Sequence, residues 1–97
     1  MENIIREAIE NKKVVEFTYK NDFRIVEPFV IGVTSTGKIA LRAYQVGGNS
    51  SDSNTIGWKL FTLDKINNLT VKTDNFTGIR EHYNPNDSQL NPIYARV

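Results

Sequence analysis

The sequence predicts a mainly β domain in which one N-terminal helix is followed by about five short strands. Apolar residues recur at helical spacing near the N-terminus, whereas residues 13–20 alternate between apolar and polar side chains with a period of two. A further apolar run contains Pro28 and Gly32, which interrupt a β ladder and should bend that strand. One helix and several short, bent strands are typical of a small, highly curved barrel of the SH3 or Sm-like kind.

The helix is predicted over residues 2–11, where four apolar residues form one stripe. These residues are Ile4, Ile5, Ala8 and Ile9. A helix of this length is not stable by itself. We therefore expect its apolar stripe to lie against the sheet that the rest of the chain forms.

Five strands follow the helix, separated by turn-forming residues. They are predicted over residues 13–20, 23–34, 38–46, 58–63 and 69–74. A turn or single helical turn over residues 64–68 should precede the last strand, and residues 47–57 form a polar loop with glycine at both ends. In the third strand, alternation places Arg42 and Tyr44 on the face opposite the apolar residues.

The predicted domain organisation is a helix and barrel over residues 1–74 and an irregular aromatic tail over residues 75–97. The tail contains turn-forming Asn-Pro pairs but also apolar side chains that favour burial. Those side chains are Phe76, Ile79, Tyr83, Leu90, Ile93 and Tyr94. We expect the tail to pack on the barrel or on a partner subunit.

Composition excludes several classes of function. The chain of 97 residues is 39% hydrophobic and 24% charged, as expected of one soluble domain, and it has no apolar run long enough to span a membrane. Its N-terminus does not resemble a signal peptide, so a cytoplasmic location is expected. With no cysteine and a single histidine, neither a metal site nor a cofactor is expected. The net charge of +1 argues against a generally basic nucleic-acid binder but permits a local basic patch.

A candidate binding site lies between residues 41 and 66. Two apolar runs each place a cation beside an aromatic residue, Arg42 near Tyr44 and Lys59 next to Trp58. Guanidinium and ammonium groups bind phosphate, aromatic rings stack on bases, and the Gln45 amide could bind a base edge. An alternative stays open in which Arg42 pairs with Glu16 or Glu27 on a solvated strand and Trp58 fills the core.

Catalysis is not indicated by the sequence. The glycine and serine residues of residues 47–53 lack the Gly-Lys-Ser/Thr sequence of a phosphate-binding Walker loop. His82 has no nucleophile or orienting carboxylate that spacing assigns to it. We therefore expect a non-enzymatic protein with no catalytic residues.

Four segments resemble the WYL domains of bacterial transcription regulators and defence-associated proteins. The start of the family is similar to residues 5–21, IREAIENKKVVEFTYKN, and the family's Arg and Pro are found as Arg24 and Pro28 in FRIVEPFVI. The place of the motif that names the family is taken by GKIALRAY, residues 37–44. A later segment of the family resembles WKLFTLDKI, residues 58–66, in which Lys59 and Lys65 replace two arginines. Ile39 and Ala40 stand where the family has Trp and Tyr. The lysines also differ from arginine in how they bind phosphate.

The resemblance implies an Sm-like barrel that binds an anionic ligand, a nucleotide or short single-stranded nucleic acid, and regulates transcription or phage defence through it. Gly47 and Gly48 would let a ligand approach the backbone closely. Together, the residues and the resemblance nominate eight ligand-binding positions. These are Arg24, Arg42, Tyr44, Gln45, Gly48, Trp58, Lys59 and Lys65.

Two alternatives remain open. The first is a phage-type sponge that sequesters a cyclic or ADP-ribose-derived defence signal without cleaving it. The second is a protein-interaction or oligomerisation module that uses the aromatic tail. Small barrels of this kind also expose edge strands, which favours homo-oligomers that cover those edges.

Overall fold

The computed structural model describes residues 1–50 and 54–97, which form one helix, one 3-10 turn and six strands. In chain order the elements are α1 (Glu2–Glu10), β1 (Lys13–Tyr19), β2 (Asp22–Val33), β3 (Ile39–Gly48), β4 (Gly57–Thr62), a 3-10 turn (Leu63–Lys65), β5 (Ile66–Asn75) and β6 (Ile93–Arg96). The prediction of a mainly β fold with an N-terminal helix is therefore confirmed. Strand β6 was not predicted and raises the strand count from five to six.

All strand pairs are antiparallel and lie in one sheet, in the order β4-β3-β2-β1-β5, with β6 paired to β2. The 3-10 turn links β4 directly to β5, which are the two ends of that order. A short link between opposite ends requires the sheet to curl, and this gives the domain its barrel-like form.

Strand β2 bends near Pro28, as its sequence predicts. Its pairing with β3 shifts register between Pro28 and Val30, and beyond that shift its other edge pairs with β6 instead of β1. Proline donates no hydrogen bond to a ladder, which explains why the change of partner falls here. At Gly32 a Cβ atom would lie 2.5 Å from the carbonyl oxygen of Pro92, so only glycine lets the tail approach this closely.

The interior of the barrel is filled by the inward-facing side chains of β1 to β5 and covered by α1. Ile5, Ala8 and Ile9 of the helix are buried there. Ile4 is 50% exposed, so the predicted apolar stripe is narrower by one residue. The strand residues of this core are Val15, Phe17, Tyr19, Val26, Ile31, Leu41, Ala43, Phe61 and Ile66.

A second apolar cluster lies on the outer face of β2, β3 and β4, beneath the C-terminal tail of residues 76–97. Phe29 at its centre is fully buried, and Phe76 and Leu90 of the tail are buried against it. The tail also forms β6. Ile79 is 82% exposed and Tyr94 37% exposed, so these two residues do not have the burial that their apolar character predicted.

No helix within the two described stretches is long and apolar enough to cross a membrane.

Candidate functional site

The predicted site residues of β3 fall on two faces of the sheet. Tyr44 lies opposite Trp58 of β4 on the outer face, and Arg42 shares that face with Tyr44. Gln45 has the opposite orientation and is fully buried beside the interior core. The structure therefore separates Gln45 from Arg42 and Tyr44, because successive side chains of a strand point to opposite faces.

Arg24 is the most buried cation of the proposed set, with only 4% of its surface exposed. Its guanidinium carbon lies 5.7 Å from the ring centre of Tyr19 and 5.6 Å from that of Phe61. Both distances permit cation–π attraction. Its Nη1 donates to Oε1 of Gln45 at 3.2 Å, so Gln45 acts as a neutral partner of the arginine.

The charge of Arg24 is incompletely balanced by its surroundings. Asp22 contributes a carboxylate oxygen 3.7 Å from Nη2, which is within ion-pair range but too long for a hydrogen bond. Among the described residues, Nε of Arg24 and Oδ2 of Asp22 are buried without a hydrogen-bond partner. A buried donor without a partner is rare in folded proteins, and a bound acceptor is one way of satisfying it.

A cavity of about 310 Å³, called here the mouth cavity, opens beside Arg24 at the free edge of β4. Within residues 1–50 and 54–97, eight residues line it, of which four are cationic and none is acidic. The lining residues are Tyr19, Lys20, Arg24, Arg42, Trp58, Lys59, Leu60 and Phe61. Lys59 also donates to the carbonyl oxygen of Asn54, which precedes β4 in the chain. The cavity thus combines a concentration of positive charge with aromatic walls.

Gln45 and Gly48 organise the backbone behind this cavity but do not line it. The Gln45 amide nitrogen donates to the carbonyl oxygens of Gly47 and Asn49. Gly48 has a φ of +86°, and a Cβ atom there would lie 2.2 Å from the carbonyl oxygen of Phe23. The close approach that glycine permits is therefore made by the chain itself.

On the outer face, Arg42 is paired with the tail. Its Nε donates to Oδ2 of Asp87 at 2.6 Å, and its Nη2 donates to the side-chain oxygen of Gln89. Glu16 and Glu27, the two partners considered from sequence, pair instead with Lys72 and Arg80. Arg42 is thus an ion-pair residue of the outer face as well as a lining residue of the mouth cavity.

A second arginine of the outer face comes from the tail itself. Arg80 donates to both carboxylate oxygens of Glu27, at 2.8 and 3.0 Å, and its guanidinium lies 4.2 Å from the ring centre of Tyr44. Its pKa is raised by the hydrogen bond to Glu27, an effect that exceeds the opposing one of burial. Bidentate pairing and stacking fix Tyr44 within the folded structure.

Trp58 is largely covered by other aromatic rings. Its indole lies 4.9 Å from Phe29 and 6.0 Å from Tyr83, the latter nearly parallel at 20°, and its Nε1 donates to the carbonyl oxygen of Glu81. A smaller cavity of about 260 Å³, called here the outer cavity, remains at this point. It is lined by Arg42, Trp58, His82, Asn84 and Asp87.

The pKa of Asp87 reflects its position against Arg42. Burial acts to raise this pKa, but the hydrogen bonds from Arg42 and from the Gln89 backbone, together with the charge of Arg42, outweigh it. The pKa therefore lies below its ordinary value, and Asp87 carries a full negative charge near neutral pH.

Lys65 lies in the 3-10 turn beside Asp64 and is outside both cavities. Conversely, four residues that were not predicted as site residues line the mouth cavity, namely Tyr19, Lys20, Leu60 and Phe61. The β1–β2 hairpin brings Lys20 and Arg24 together, with Phe17 paired to Arg24, and that register was the signal from which Lys20 could have been found.

Comparisons of the chain with protein-family models, with curated proteins and with solved structures gave no match. The resemblance to WYL domains therefore stays a prediction, and the site is interpreted from its own chemistry. In the part of the chain that the structure describes, acidic and histidine side chains form no cluster suited to a metal ion.

Proposed function

We propose that the protein is a non-enzymatic binding module that takes an anionic, nucleotide-type ligand into the mouth cavity. The observation that carries this proposal is the buried Arg24, whose Nε has no hydrogen-bond partner among the described residues and which lines a cavity with three further cations. An anion entering the cavity would accept from such donors and offset their positive charge.

The cavity suits phosphate chemistry in both charge and size. Arginine and lysine are the side chains that recognise phosphate groups, and the lining contains two of each. Its volume of about 310 Å³ is at the lower end of the range for small-molecule pockets, roughly 300–1,000 Å³. Tyr19 and Trp58 supply aromatic surface for a sugar or base attached to the phosphate.

The lining favours binding over catalysis. The titratable groups of the described lining belong to lysine, arginine and tyrosine, and that part of the lining holds no carboxylate or imidazole to act as a general base near neutral pH. A ligand held there would remain chemically unchanged. This is the behaviour expected of a sensor and equally of a protein that sequesters a signalling nucleotide.

Thermal shift measurements test the proposal directly. The panel would contain inorganic phosphate, pyrophosphate, AMP, ADP, ADP-ribose, a cyclic dinucleotide and a short oligo-dT. An anion present at 100 times its dissociation constant should stabilise the fold by about 2.7 kcal/mol. Chromatography of the heated complex should return the ligand intact. If no member of the panel raises the melting temperature of the folded protein, or if a cleaved product appears, the proposal is wrong.

Arg24→Met and Lys65→Met form a matched pair for locating the site. Each substitution removes one positive charge, but only Arg24 lines the mouth cavity. We expect Arg24→Met to weaken binding at least about tenfold, equivalent to about 1.4 kcal/mol, and Lys65→Met to leave the dissociation constant nearly unchanged. Equal losses in both variants would indicate attraction by overall charge without a specific site.

A further inference from the structure

We infer that Asp87 competes with the bound anion for Arg42, so that occupation of the mouth cavity weakens the hold of the tail on the outer face. The inference rests on the proposed function, because it describes how that same site is regulated. In this inference, the Asp87 carboxylate lowers the affinity of the mouth cavity for anionic ligands.

Arg42 is the residue that the two regions share. It lines the mouth cavity together with Arg24, and it lines the outer cavity together with Asp87. Its side chain is 19% exposed, whereas the carboxylate side chain of Asp87 is 10% exposed. A guanidinium in this position can interact with a tail carboxylate and with a ligand in the mouth cavity at the same time.

The hydrogen bonds of Arg42 leave one side of the guanidinium available. Nε and Nη2 donate to Asp87 and Gln89, which occupies the side-on edge of the planar group. No described residue accepts a hydrogen bond from Nη1, so the end formed by Nη1 and Nη2 still offers donors. An anion can approach this end while Asp87 remains on the other edge.

Charge makes the two anions antagonistic. Asp87 offsets the positive charge of Arg42, and its carboxylate would also repel a phosphate bound to the same guanidinium. Both groups are largely withdrawn from solvent, where screening by salt is weaker than at the surface. Neutralising Asp87 without changing its shape should therefore tighten anion binding, by about fivefold or more.

Thermodynamic linkage requires the effect to be reciprocal. If Asp87 weakens anion binding, a bound anion must weaken the Arg42–Asp87 pair by the same factor. The tail has further attachments, since Arg80 pairs with Glu27 and Trp58 donates to Glu81. We therefore expect faster amide exchange in the tail around Asp87 when the cavity is occupied, while the barrel strands remain protected.

The test is a titration with inorganic pyrophosphate, and in parallel with ADP, of the unsubstituted protein, Asp87→Asn, Arg42→Gln and the double variant. Asp87→Asn should bind at least about fivefold more tightly, and this gain should disappear when Arg42 is also replaced. Asp64→Asn is the matched control, because Asp64 pairs with Lys38 at 2.8 Å outside both cavities. Its affinity should equal that of the unsubstituted protein.

A second variant tests the same inference with the opposite sign. Gln89→Glu keeps Asp87 and places another carboxylate at Nη2 of Arg42, so it should weaken anion binding. This variant keeps the inference testable if Asp87→Asn does not fold.

Three outcomes would overturn the inference. Equal or weaker binding by a folded Asp87→Asn protein contradicts the competition, and so does a gain that persists without Arg42. In either case, the proposed function would still hold if Arg24→Met abolishes anion binding. If neither pyrophosphate nor ADP binds any variant and the panel of anions also fails, both the proposed function and the competition are wrong.

Discussion

The mouth cavity and the outer face of β3 and β4 contain the same kinds of residue but balance their charges differently. On the outer face, Arg42 and Arg80 each pair with a carboxylate at hydrogen-bond distance, 2.6 Å to Asp87 and 2.8 Å to Glu27. At the mouth, the nearest carboxylate to Arg24 among the described residues is 3.7 Å away, and the described acceptors of its hydrogen bonds are neutral. Arginine among aromatic rings thus stabilises the folded tail on the outer face, whereas at the mouth cavity it is a candidate ligand-binding residue.

The difference shows that residue type alone does not identify a binding site. Trp58 and Tyr44 are predicted from the sequence to stack on a ligand, yet Tyr83 and Arg80 of the tail pack against them. Trp58 stays half-buried where it lines the two cavities. Tyr19 and Phe61 look like core residues, yet they line the mouth cavity beside Arg24. Among the described residues, the two regions differ in whether a carboxylate lies within hydrogen-bond distance of the arginine.

The largest predicted effect concerns the apolar support of the outer face. Phe29 is fully buried, with ring centres of Trp58, Phe76 and Tyr83 at 4.9, 5.2 and 4.8 Å. We expect Phe29→Ala to lower the free energy of unfolding by about 3–5 kcal/mol, through lost burial and the cavity left behind. Urea denaturation monitored by Trp58 fluorescence measures this loss.

Phe23→Ala is the control for that change, because Phe23 is 45% exposed and should contribute less than about 1 kcal/mol. The Phe29 cluster and Arg24 lie on opposite faces of the sheet, so we expect folded Phe29→Ala protein still to bind the anion. Loss of anion binding in folded protein would show that the two regions are not separable.

An intermediate effect should distinguish the two arginines. The Asp87 side chain is only 10% exposed, and Arg42→Met removes its counter-ion. We expect this substitution to lower the free energy of unfolding by about 1.5–3 kcal/mol. Arg24→Met removes a buried charge whose carboxylate partner, Asp22, lies at 3.7 Å, within ion-pair range but beyond hydrogen-bond distance. We therefore expect a change in unfolding free energy within about 1 kcal/mol, including a gain. Both values come from chemical denaturation of the two variants at one salt concentration.

Replacing arginine by methionine should thus destabilise the fold at Arg42 but have little effect on stability at Arg24. If Arg24→Met were the more destabilising of the two, the charge of Arg24 would be balanced within the protein. The mouth would then be a structural ion-pair site like the outer face.

The smallest predicted effect is the pH dependence of the Asp87 ion pair. Because the pKa of Asp87 is below its ordinary value of 3.8 in the folded protein, the pair stabilises the fold above that value. Its contribution, about 1 kcal/mol, should disappear as the pH falls through the lowered pKa. The difference in unfolding free energy between the unsubstituted protein and Asp87→Asn should therefore be largest near pH 6 and shrink towards pH 3.

Asp64→Asn provides the comparison for this titration. The pKa of Asp64 is also lowered, chiefly by the hydrogen bond from Lys38, but both side chains of that pair are about half exposed. Added salt should remove the effect of Asp64→Asn on stability before that of Asp87→Asn. Equal sensitivity to salt would mean that the Arg42–Asp87 pair behaves as a surface pair.

Local pattern predicted most of the barrel. The alternation of Val15, Phe17 and Tyr19 gave the inner face of β1, and Pro28 located the bend of β2. Strand β6 was missed because its four residues, Ile93–Arg96, are too few to show a period, and because they acquire their pairing from β2 across a long sequence separation. The position of β6 also depends on Gly32 of β2, where a side chain would collide with the Pro92 carbonyl oxygen just before β6.

The candidate site was predicted only in part. Of the eight positions that the sequence nominated, the structure brings four together around the mouth cavity, namely Arg24, Arg42, Trp58 and Lys59. The other four, Tyr44, Gln45, Gly48 and Lys65, do not line it. Asp87 could not be identified, because it is 45 residues from Arg42 and lies in a segment with no regular period. Only folding of the tail over β3 makes the two residues neighbours.

The sequence by itself determined the fold class and the inward or outward direction of side chains along β1 and β3, because strand periodicity is a local property of the chain. The tertiary structure decided which arginine is neutralised. Ion pairing depends on distances of a few ångströms between residues far apart in sequence, and the β1–β2 hairpin and the tail fix those distances only when the sheet curls. The same fold that places Asp87 on Arg42 gathers four cations, including Arg24, in the described lining of the mouth cavity.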